Sequence, residues 1–324
     1  MPKPIVILGC TASGKSDLAE AIAQRLGEKK RGGIGAPATV MAVDSMQVYR
    51  GMDIGTAKPA AEIRARIPYL MLDRADPWDA YSAARFVAEA RPLVEDAARA
   101  HKPLVIVAGT ILYLRSLIDG MFEGPGADEA IRAELHARAE RAGAGGSPAL
   151  HAELAKVDAA AAARIHPNDV RRIVRALEVY RLTGTPISVL QTQWSAEHPA
   201  VDALFLGIQR EKDALSRRIN ARVKKMIDAG LVEEVRRLSH DPRGFSEEAA
   251  SGVGYKQLRA YLAGQGTLDD AIEQIKIQTR YLAKMQRTWM KRWPPPSRVC
   301  WLTAADGVEG ADLVDAALRV IGNS

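Results

Sequence analysis

The segment at residues 9–16 constrains the fold of this chain more than any other. It follows an apolar, β-branched run at residues 5–8, precedes a helix-compatible stretch at residues 16–26, and matches the pattern GxxxxGK[ST]. A strand that leads through such a loop into a helix is the context in which this pattern forms a phosphate-binding loop, or P-loop. Its residues are Gly9, Cys10, Thr11, Ala12, Ser13, Gly14, Lys15 and Ser16.

The residue types of the P-loop indicate its chemistry. Its glycines let backbone N–H groups curl around phosphate oxygens, and the N-terminus of the following helix adds a partial positive charge. Lys15 is expected to reach the terminal phosphates, and the Ser16 hydroxyl is expected to bind Mg²⁺. The motif indicates a diphosphate ligand but no particular reaction, because NTPases, kinases and transferases share it.

Short apolar strands alternate with helical stretches in the first third of the chain. Further strands are predicted at residues 39–43 and 104–107, and a helix is predicted at residues 83–100. This alternation predicts a parallel sheet flanked by helices, and the continuous apolar strands indicate burial on both faces of that sheet. The predicted fold class is therefore α/β, with a P-loop NTPase-like core.

The pattern changes after about residue 120. The sequence becomes helical and rich in Ala, Glu and Arg, and a strand candidate reappears only at residues 203–207. We interpret residues 1–122 and 200–324 as one α/β core with C-terminal helices. An all-helical insertion domain at residues 123–199 is predicted to interrupt it.

Composition excludes several other classes of protein. Hydrophobic residues make up 47% of the 324 residues, which is ample for a buried core. The two cysteines form no CxxC pair and the six histidines form no HExxH motif, which argues against a zinc site or a disulfide framework. No run approaches the length of a membrane span. We expect a cytoplasmic monomer with no membrane association, whose net charge of +6 permits a polyanionic partner.

Asp44 directly follows the apolar strand at residues 39–43, and two interpretations of it stay open. One is a Walker-B-like carboxylate that holds Mg²⁺. The other is a general base at the carboxyl end of a parallel strand, where α/β sheets place their ligands.

A second group of motifs runs through most of the chain in a fixed order. It comprises residues 44–59 (DSMQVYRGMDIGTAKP), 81–86, 109–113, 166–178, 253–255 and 279–289. Together with the P-loop, these blocks resemble the tRNA dimethylallyltransferase family, also called tRNA isopentenyltransferases, in its bacterial type. Cys10, Ala108 and Ile111 stand where the family usually has other residues.

The resemblance implies a reaction and its catalytic residues. A dimethylallyl group would pass from dimethylallyl diphosphate to N6 of adenosine 37, next to the tRNA anticodon, with release of diphosphate. Adenine N6 is a poor nucleophile, so we expect Asp44 to remove its proton, a contribution of roughly 10²–10⁴ in rate. Thr110 is expected to orient the amine or the leaving oxygen. Lys15 and Arg218, with Mg²⁺ on Ser16, are expected to stabilise the leaving diphosphate.

The resemblance also implies a set of residues that bind the tRNA anticodon stem-loop. Asp44 and Thr110 belong to this set as well as to the catalytic one. The other members are Ser45, Met46, Gln47, Arg132, Arg171, Arg172, Ile173, Val174, Arg175, Ser251, Gly252, Val253, Gly254, Tyr255, Lys256, Lys284, Met285, Gln286, Arg287, Thr288, Trp289, Met290 and Lys291. The target base must be extruded from the loop to reach a diphosphate-lined pocket.

A basic stripe near the C-terminus indicates an RNA contact independently of the family. Its members fall within about 80° of one another on a helix, and residues 276–298 include no Asp or Glu. The basic residues are Lys276, Arg280, Lys284, Arg287 and Lys291. A second stripe is predicted to pack against the core; it comprises Ile275, Leu282, Met285, Trp289 and Trp293.

Two alternatives stay open for the basic residues. The C-terminal stripe, like the region around Arg218, is also typical of an ordinary solvated helix face. In the insertion, Arg171, Arg172 and Arg175 are alternatively paired with Asp169 or Glu178.

Two rival functions stay open as well. A P-loop small-molecule or nucleotide kinase would share the phosphate-binding loop, the sheet and a helical insertion. A kinase function does not explain the basic C-terminal helix without Asp or Glu. A nucleic-acid-binding switch protein that uses nucleotide only for regulation gains no support from residues 44–47.

Overall fold

The computed structural model describes residues 3–28, 37–121, 124–141, 143, 146–191, 199–304 and 310–322. Strands in these ranges are β1 (Ile5–Leu8), β2 (Thr39–Val43), β3 (Tyr69–Leu70), β4 (Leu104–Ala108), β5 (Leu204–Gln209) and β6 (Val299–Thr303). They form one sheet in the order β3-β2-β4-β1-β5-β6. Every neighbouring pair is parallel, which confirms the predicted α/β class.

The helices fall into three groups along the chain: those before the insertion, those within it and those after it. The first group is α1 (Lys15–Glu28), α2 (Ala61–Arg66), α3 (Ala83–Arg99) and α4 (Ile111–Ile118). The second is α5 (Glu129–Arg141), α6 (Gly146–Val157), α7 (Ala159–Arg164), α8 (Val170–Thr183) and α9 (Ile187–Leu190). The last group is α10 (Lys212–Asp228), α11 (Leu231–Ser239), α12 (Glu247–Ala250), α13 (Tyr255–Leu262), α14 (Leu268–Met290) and α15 (Ala311–Gly322), with a 3₁₀ turn at Pro296–Arg298.

The sheet separates two apolar layers, because successive side chains of each strand point to opposite faces. Val6 and Leu8 of β1 belong to one buried cluster, which includes residues of α3, α4, α10, α13 and α14. Ile5 and Ile7 belong to the other, which includes residues of α1 and α15. The strands are thus buried on both faces, as their continuous apolar sequence predicts.

The chain divides into two compact units, one formed by Met1–Ile118 and Val201–Ser324 and one by Asp119–Ala200. The second unit has its own buried cluster, built from α5 to α9. The predicted boundary between residues 122 and 123 lies outside the described residues.

Two strands, β3 and β6, were not predicted from the sequence. β3 has only two residues, and β6, at the sheet edge, has a mixture of buried and exposed side chains. In the described part of the chain, no helix has the length and apolarity needed to cross a bilayer.

Candidate active site

A cavity of about 860 Å³ lies at the carboxyl ends of β1, β2 and β4. Its walls bring together the P-loop, residues 44–47, Thr110, and segments of α10 and α14 that are distant in sequence. Ligands of open α/β sheets bind at this end of the strands. The sequence-predicted residues Lys15, Ser16, Asp44, Thr110 and Arg218 all line this cavity.

The P-loop is tightly wound. Ser13 N donates to Cys10 O over 3.1 Å, and Ala12 and Gly14 have φ of 62° and 97°. A Cβ on Gly9 would lie 2.4 Å from Ser13 Oγ, so any other residue would have to displace the buried Ser13 side chain. The left-handed Ala12 is a strained position for an L-residue, and such strain is typical of functional loops.

Two arginines hold the loop from outside. Arg210 Nε donates to Ser13 O and Arg218 Nε donates to Ala12 O, each over 2.9 Å. These bonds fix the orientation of adjacent peptide groups. Arg218 therefore braces the P-loop as well as lining the cavity, which a solvated helix face would not do.

Lys15 and Arg222 place two desolvated cations in the cavity wall. Burial, reinforced by the charge of Arg222, lowers the pKa of Lys15 to about 8, although Asp44 opposes the shift. Burial likewise lowers the pKa of Arg222, against the charges of Asp44 and Asp17. Both groups would be stabilised by a bound polyanion. In the sequence, Arg222 was only one member of a basic run, so its desolvation was not predictable.

Asp44 is held by the start of its own loop. Its Oδ1 accepts from Met46 N over 2.8 Å and from Gln47 N over 3.3 Å. Its Oδ2 lies where a Cβ on residue 109 would approach to 2.2 Å, so Gly109 leaves the space for this carboxylate. Among the hydrogen bonds of the described residues, none ends on Oδ2.

Thr110 joins the ends of β2 and β4. Its Oγ1 accepts from Ser45 N over 2.9 Å and donates to Ser45 Oγ over 3.1 Å. The hydroxyl predicted to orient the substrate therefore also fixes Ser45 beside Asp44.

Gln286 lies in the cavity wall, on the side of α14 that packs against the core. Its Oε1 accepts from Thr11 N over 2.8 Å, and its Nε2 donates to Gly109 O over 2.7 Å. Sequence analysis placed Gln286 in a tRNA-binding run. The structure gives it a different contact, since its side chain bridges the P-loop and the end of β4 and is 8% exposed.

The predicted packing face of α14 is partly wrong. Ile275 and Trp293 are buried, but Leu282 and Met285 are 39% and 40% exposed. Ala283, Gln286 and Met290 are buried instead. The face is rotated from the prediction because polar Gln286 packs inward onto the P-loop, a contact that hydrophobic patterning does not detect.

Residues of the predicted tRNA-binding set differ in accessibility. Ser251, Lys256, Lys284, Met285, Thr288 and Lys291 are exposed, and Ser45, Met46, Gln47, Val253, Arg287 and Trp289 are half-buried. Ile173, Val174, Tyr255 and Met290 are buried. The side chains of these last four pack inside the protein, and Tyr255 also lines the cavity. Their assignment to the tRNA-binding set stays a prediction.

The arginines of the insertion surround a buried carboxylate. Glu178 is fully buried and accepts from Arg132 Nε over 2.8 Å, from Arg175 Nη1 over 2.7 Å and from Asp128 N over 2.7 Å. Burial alone would raise the pKa of Glu178, but the two arginines outweigh it and lower that pKa. For Arg175 the ion-pair alternative is what the structure shows.

Arg171 and Arg172 of α8 are less constrained than Arg175. Arg172 Nε lies 3.3 Å from Asp169 Oδ2, and Arg171 is exposed. Arg132 remains 42% exposed despite its pairing with Glu178.

The fold and the site together define a P-loop α/β protein whose phosphate-binding loop shares a cavity with the carboxylate of Asp44. Residues 47–293 match the family model described as IPP transferase. The chain belongs to this family, and the resemblance seen in its motifs is confirmed.

Curated relatives match over most of their lengths. A tRNA dimethylallyltransferase of Geobacter sulfurreducens is 46% identical over 293 residues, 90% of each chain. One of Hahella chejuensis, designated tRNA dimethylallyltransferase 2, is 40% identical over 99% of this chain and 95% of its own.

Solved structures of transferases that are named for action on tRNA also align with this chain. A tRNA isopentenylpyrophosphate transferase from Bacillus halodurans aligns with a TM-score of 0.69 at 35% identity, covering 100% of this chain and 96% of its own. A eukaryotic dimethylallyltransferase acting on tRNA aligns with a TM-score of 0.82 at 28% identity, covering 100% of this chain and 79% of its own.

Proposed function

We propose that this chain transfers a dimethylallyl group from dimethylallyl diphosphate to N6 of adenosine 37 of tRNA, giving N6-(dimethylallyl)adenosine and diphosphate. The observation that carries the proposal is that the P-loop and the Asp44 carboxylate face one cavity. A diphosphate leaving group and a nucleophile that must lose a proton would meet there. The curated relatives' shared name supports the same reaction.

The P-loop side of the cavity serves the leaving group. Negative charge accumulates on the diphosphate as the allylic C–O bond breaks, and donors already fixed in place stabilise it without further reorganisation. Lys15, Arg222 and the amides of the P-loop supply these donors, and Arg210 and Arg218 keep the loop rigid.

We propose Mg²⁺ as the cofactor, held by Ser16 and the substrate diphosphate. Mg²⁺ is usually bound through one or two carboxylates and substrate phosphates rather than by a cage of protein ligands. The residues present fit this mode, because the Ser16 hydroxyl lines the same cavity as the P-loop, where substrate phosphates would supply further oxygen ligands. When bound, the ion would neutralise charge on the diphosphate.

Asp44 serves the nucleophile. Its Oδ1 is anchored by two backbone amides, which leaves Oδ2 to accept the proton of the adenine amine as the C–N bond forms. Thr110 and Ser45 hold this loop at the strand ends. The base interpretation of Asp44 explains why one carboxylate oxygen is fixed and the other is open.

We further propose that a cytoplasmic monomer grips the anticodon stem-loop through exposed basic residues. These are Lys284 and Lys291 of the C-terminal stripe and Arg171, Arg172 and Arg132 of the insertion. Such contacts would offset the few kcal/mol required to extrude the target adenine.

The proposal is tested by incubating the protein with dimethylallyl diphosphate and unmodified tRNA and weighing the nucleosides. A dimethylallyl mass increment on adenosine supports it. An unshifted adenosine together with ATP hydrolysis or phosphoryl transfer would favour the kinase instead.

Asp44→Asn separates the two interpretations of that residue. Single-turnover transfer should fall by roughly 10²–10⁴ while affinity for the diphosphate donor changes little. Asp17→Asn is the matched control, because it also removes a carboxylate from the cavity wall, and it should reduce the rate far less. A surviving rate with weakened Mg²⁺ affinity in Asp44→Asn would contradict the base assignment and favour the Walker-B-like one.

A further inference from the structure

Glu234 of α11 is a buried carboxylate outside the reacting groups. Its side chain is 6% exposed. Its Oε2 accepts from Asp53 N over 3.0 Å and from Ile54 N over 2.8 Å, and its Oε1 accepts from Gly55 N over 3.2 Å. A buried carboxylate with consecutive backbone amides as donors fixes the path of the chain that supplies them.

Tyr255 completes this cluster. Its hydroxyl donates to Glu234 Oε1 over 2.5 Å, and its ring is fully buried. A Cβ on residue 55 would lie 2.5 Å from Tyr255 Cε2, so the ring packs directly on the backbone of Gly55. Glu234 and Tyr255 therefore clamp residues 53–55 from two directions.

The clamped segment leads directly to a residue of the cavity. Gln47 Nε2 donates to Thr56 O over 3.0 Å and to Ala57 O over 3.3 Å. The amide nitrogen faces these two carbonyls, which leaves Oε1 as the acceptor group of the side chain. Gln47 lines the cavity beside Asp44, and within the described residues no donor is bonded to its Oε1.

We infer that Glu234 and Tyr255 are positioning residues that act through Gln47, a role that rests on the proposed function. By fixing residues 53–57, they orient the Gln47 amide so that only its acceptor oxygen faces the adenine of the tRNA. An exocyclic amine carries two hydrogens, and Asp44 Oδ2 and Gln47 Oε1 can each accept one. A nucleobase with a carbonyl in place of the amine would face two acceptor oxygens. It would be rejected, since unpaired buried polar groups are costly.

A double-mutant cycle on the full-length chain tests this inference. Glu234→Gln exchanges an acceptor oxygen for a donor that opposes the backbone amides, and misplacement of a substrate-orienting group costs up to about 10²-fold in rate. We expect kcat for tRNA to fall by about 10- to 100-fold with an unchanged KM for dimethylallyl diphosphate. Gln47→Ala should produce a similar fall, and the double variant should lose no more than Gln47→Ala alone.

Matched variants control for a general loss of structure. Glu233→Gln alters the neighbouring exposed residue of α11, which pairs with Arg236, and should leave kcat unchanged. Tyr255→Phe keeps the ring on Gly55 and removes only the hydroxyl, so it should give a smaller fall in kcat that is also abolished in a Gln47→Ala background. Additive effects of Glu234→Gln and Gln47→Ala would overturn the inference.

A second readout does not depend on activity. The side-chain amide resonance of Gln47, identified by its loss in Gln47→Ala, should exchange its hydrogens faster in Glu234→Gln and Tyr255→Phe than in the parent. Unchanged exchange in both variants would overturn the inference. Absence of product from the parent chain would instead contradict the proposed function, and the exchange measurement would still decide the positioning role.

Discussion

At the scale of single residues, the site is defined by charged groups that are half-buried and desolvated. Lys15 and Arg222 lie in the wall of a cavity where burial disfavours their charge. The free energy lost in desolvating them is recovered when an anion binds. The cavity is thereby selective for ligands with high negative charge before any substrate-specific contact forms.

The pKa of Lys15 predicts a pH dependence for diphosphate binding. Because the folded pKa is lowered from 10.5 to about 8, the lysine is charged below pH 8 and loses its charge as the pH rises above it. Affinity for inorganic pyrophosphate, measured by calorimetry, should fall by about tenfold from pH 7 to pH 9 relative to a Lys15→Arg variant. The arginine stays charged throughout, so parallel pH profiles would contradict the lowered pKa.

At the scale of elements, α14 has two faces with different roles. Its inner face holds Gln286 on the P-loop and Gly109. Its outer face exposes Lys284 and Lys291. Not every basic residue of the stripe is available to a partner, since Lys276 is paired with Glu273 and Arg280 donates to Asn220.

The accessible end of this stripe predicts a salt-dependent effect. Lys284→Ala with Lys291→Ala should raise the KM for tRNA and reduce the slope of log affinity against log salt by about one to two. The affinity for pyrophosphate should not change. Lys276→Ala, on the same helix but in an ion pair, is the matched control and should keep the parent slope. Identical slopes for all three proteins would remove α14 from the RNA interface.

At the scale of the whole molecule, the two compact units have separate buried clusters. The insertion leaves and re-enters the α/β unit at neighbouring positions, because Val201 N donates to Ile118 O over 3.0 Å. A segment with this arrangement can be removed without stretching the chain that remains.

Replacement of residues 119–200 by two glycines should therefore leave a folded α/β unit. We expect it to unfold cooperatively and to bind pyrophosphate like the full chain, while its affinity for an anticodon stem-loop falls by at least about tenfold through the loss of basic contacts. Calorimetry and fluorescence titration measure the two affinities. Loss of pyrophosphate binding would show that the insertion is required for the P-loop to fold.

Local sequence patterns were enough to predict the parallel α/β core, the P-loop and the family. Continuous apolar strands, glycine spacing and ordered motifs are local patterns, and each constrains the backbone over a few residues. Lys15, Ser16, Asp44 and Thr110 were identifiable because they lie within such patterns, and the structure places all of them on one cavity.

Which residues act together across the chain depends on the packing of elements that are distant in sequence. The inward position of Gln286, the desolvation of Arg222, the pairing of Arg132 with Glu178, and the clamp of Glu234 on residues 53–55 have no local signature. Each is a polar group on a helix whose sequence resembles an exposed face. For Arg132, Glu234 and Gln286 the hydrogen-bond partners lie between 46 and 275 residues away. Helical periodicity predicts which residues share a face of a helix. What that face contacts depends on how one element packs against another.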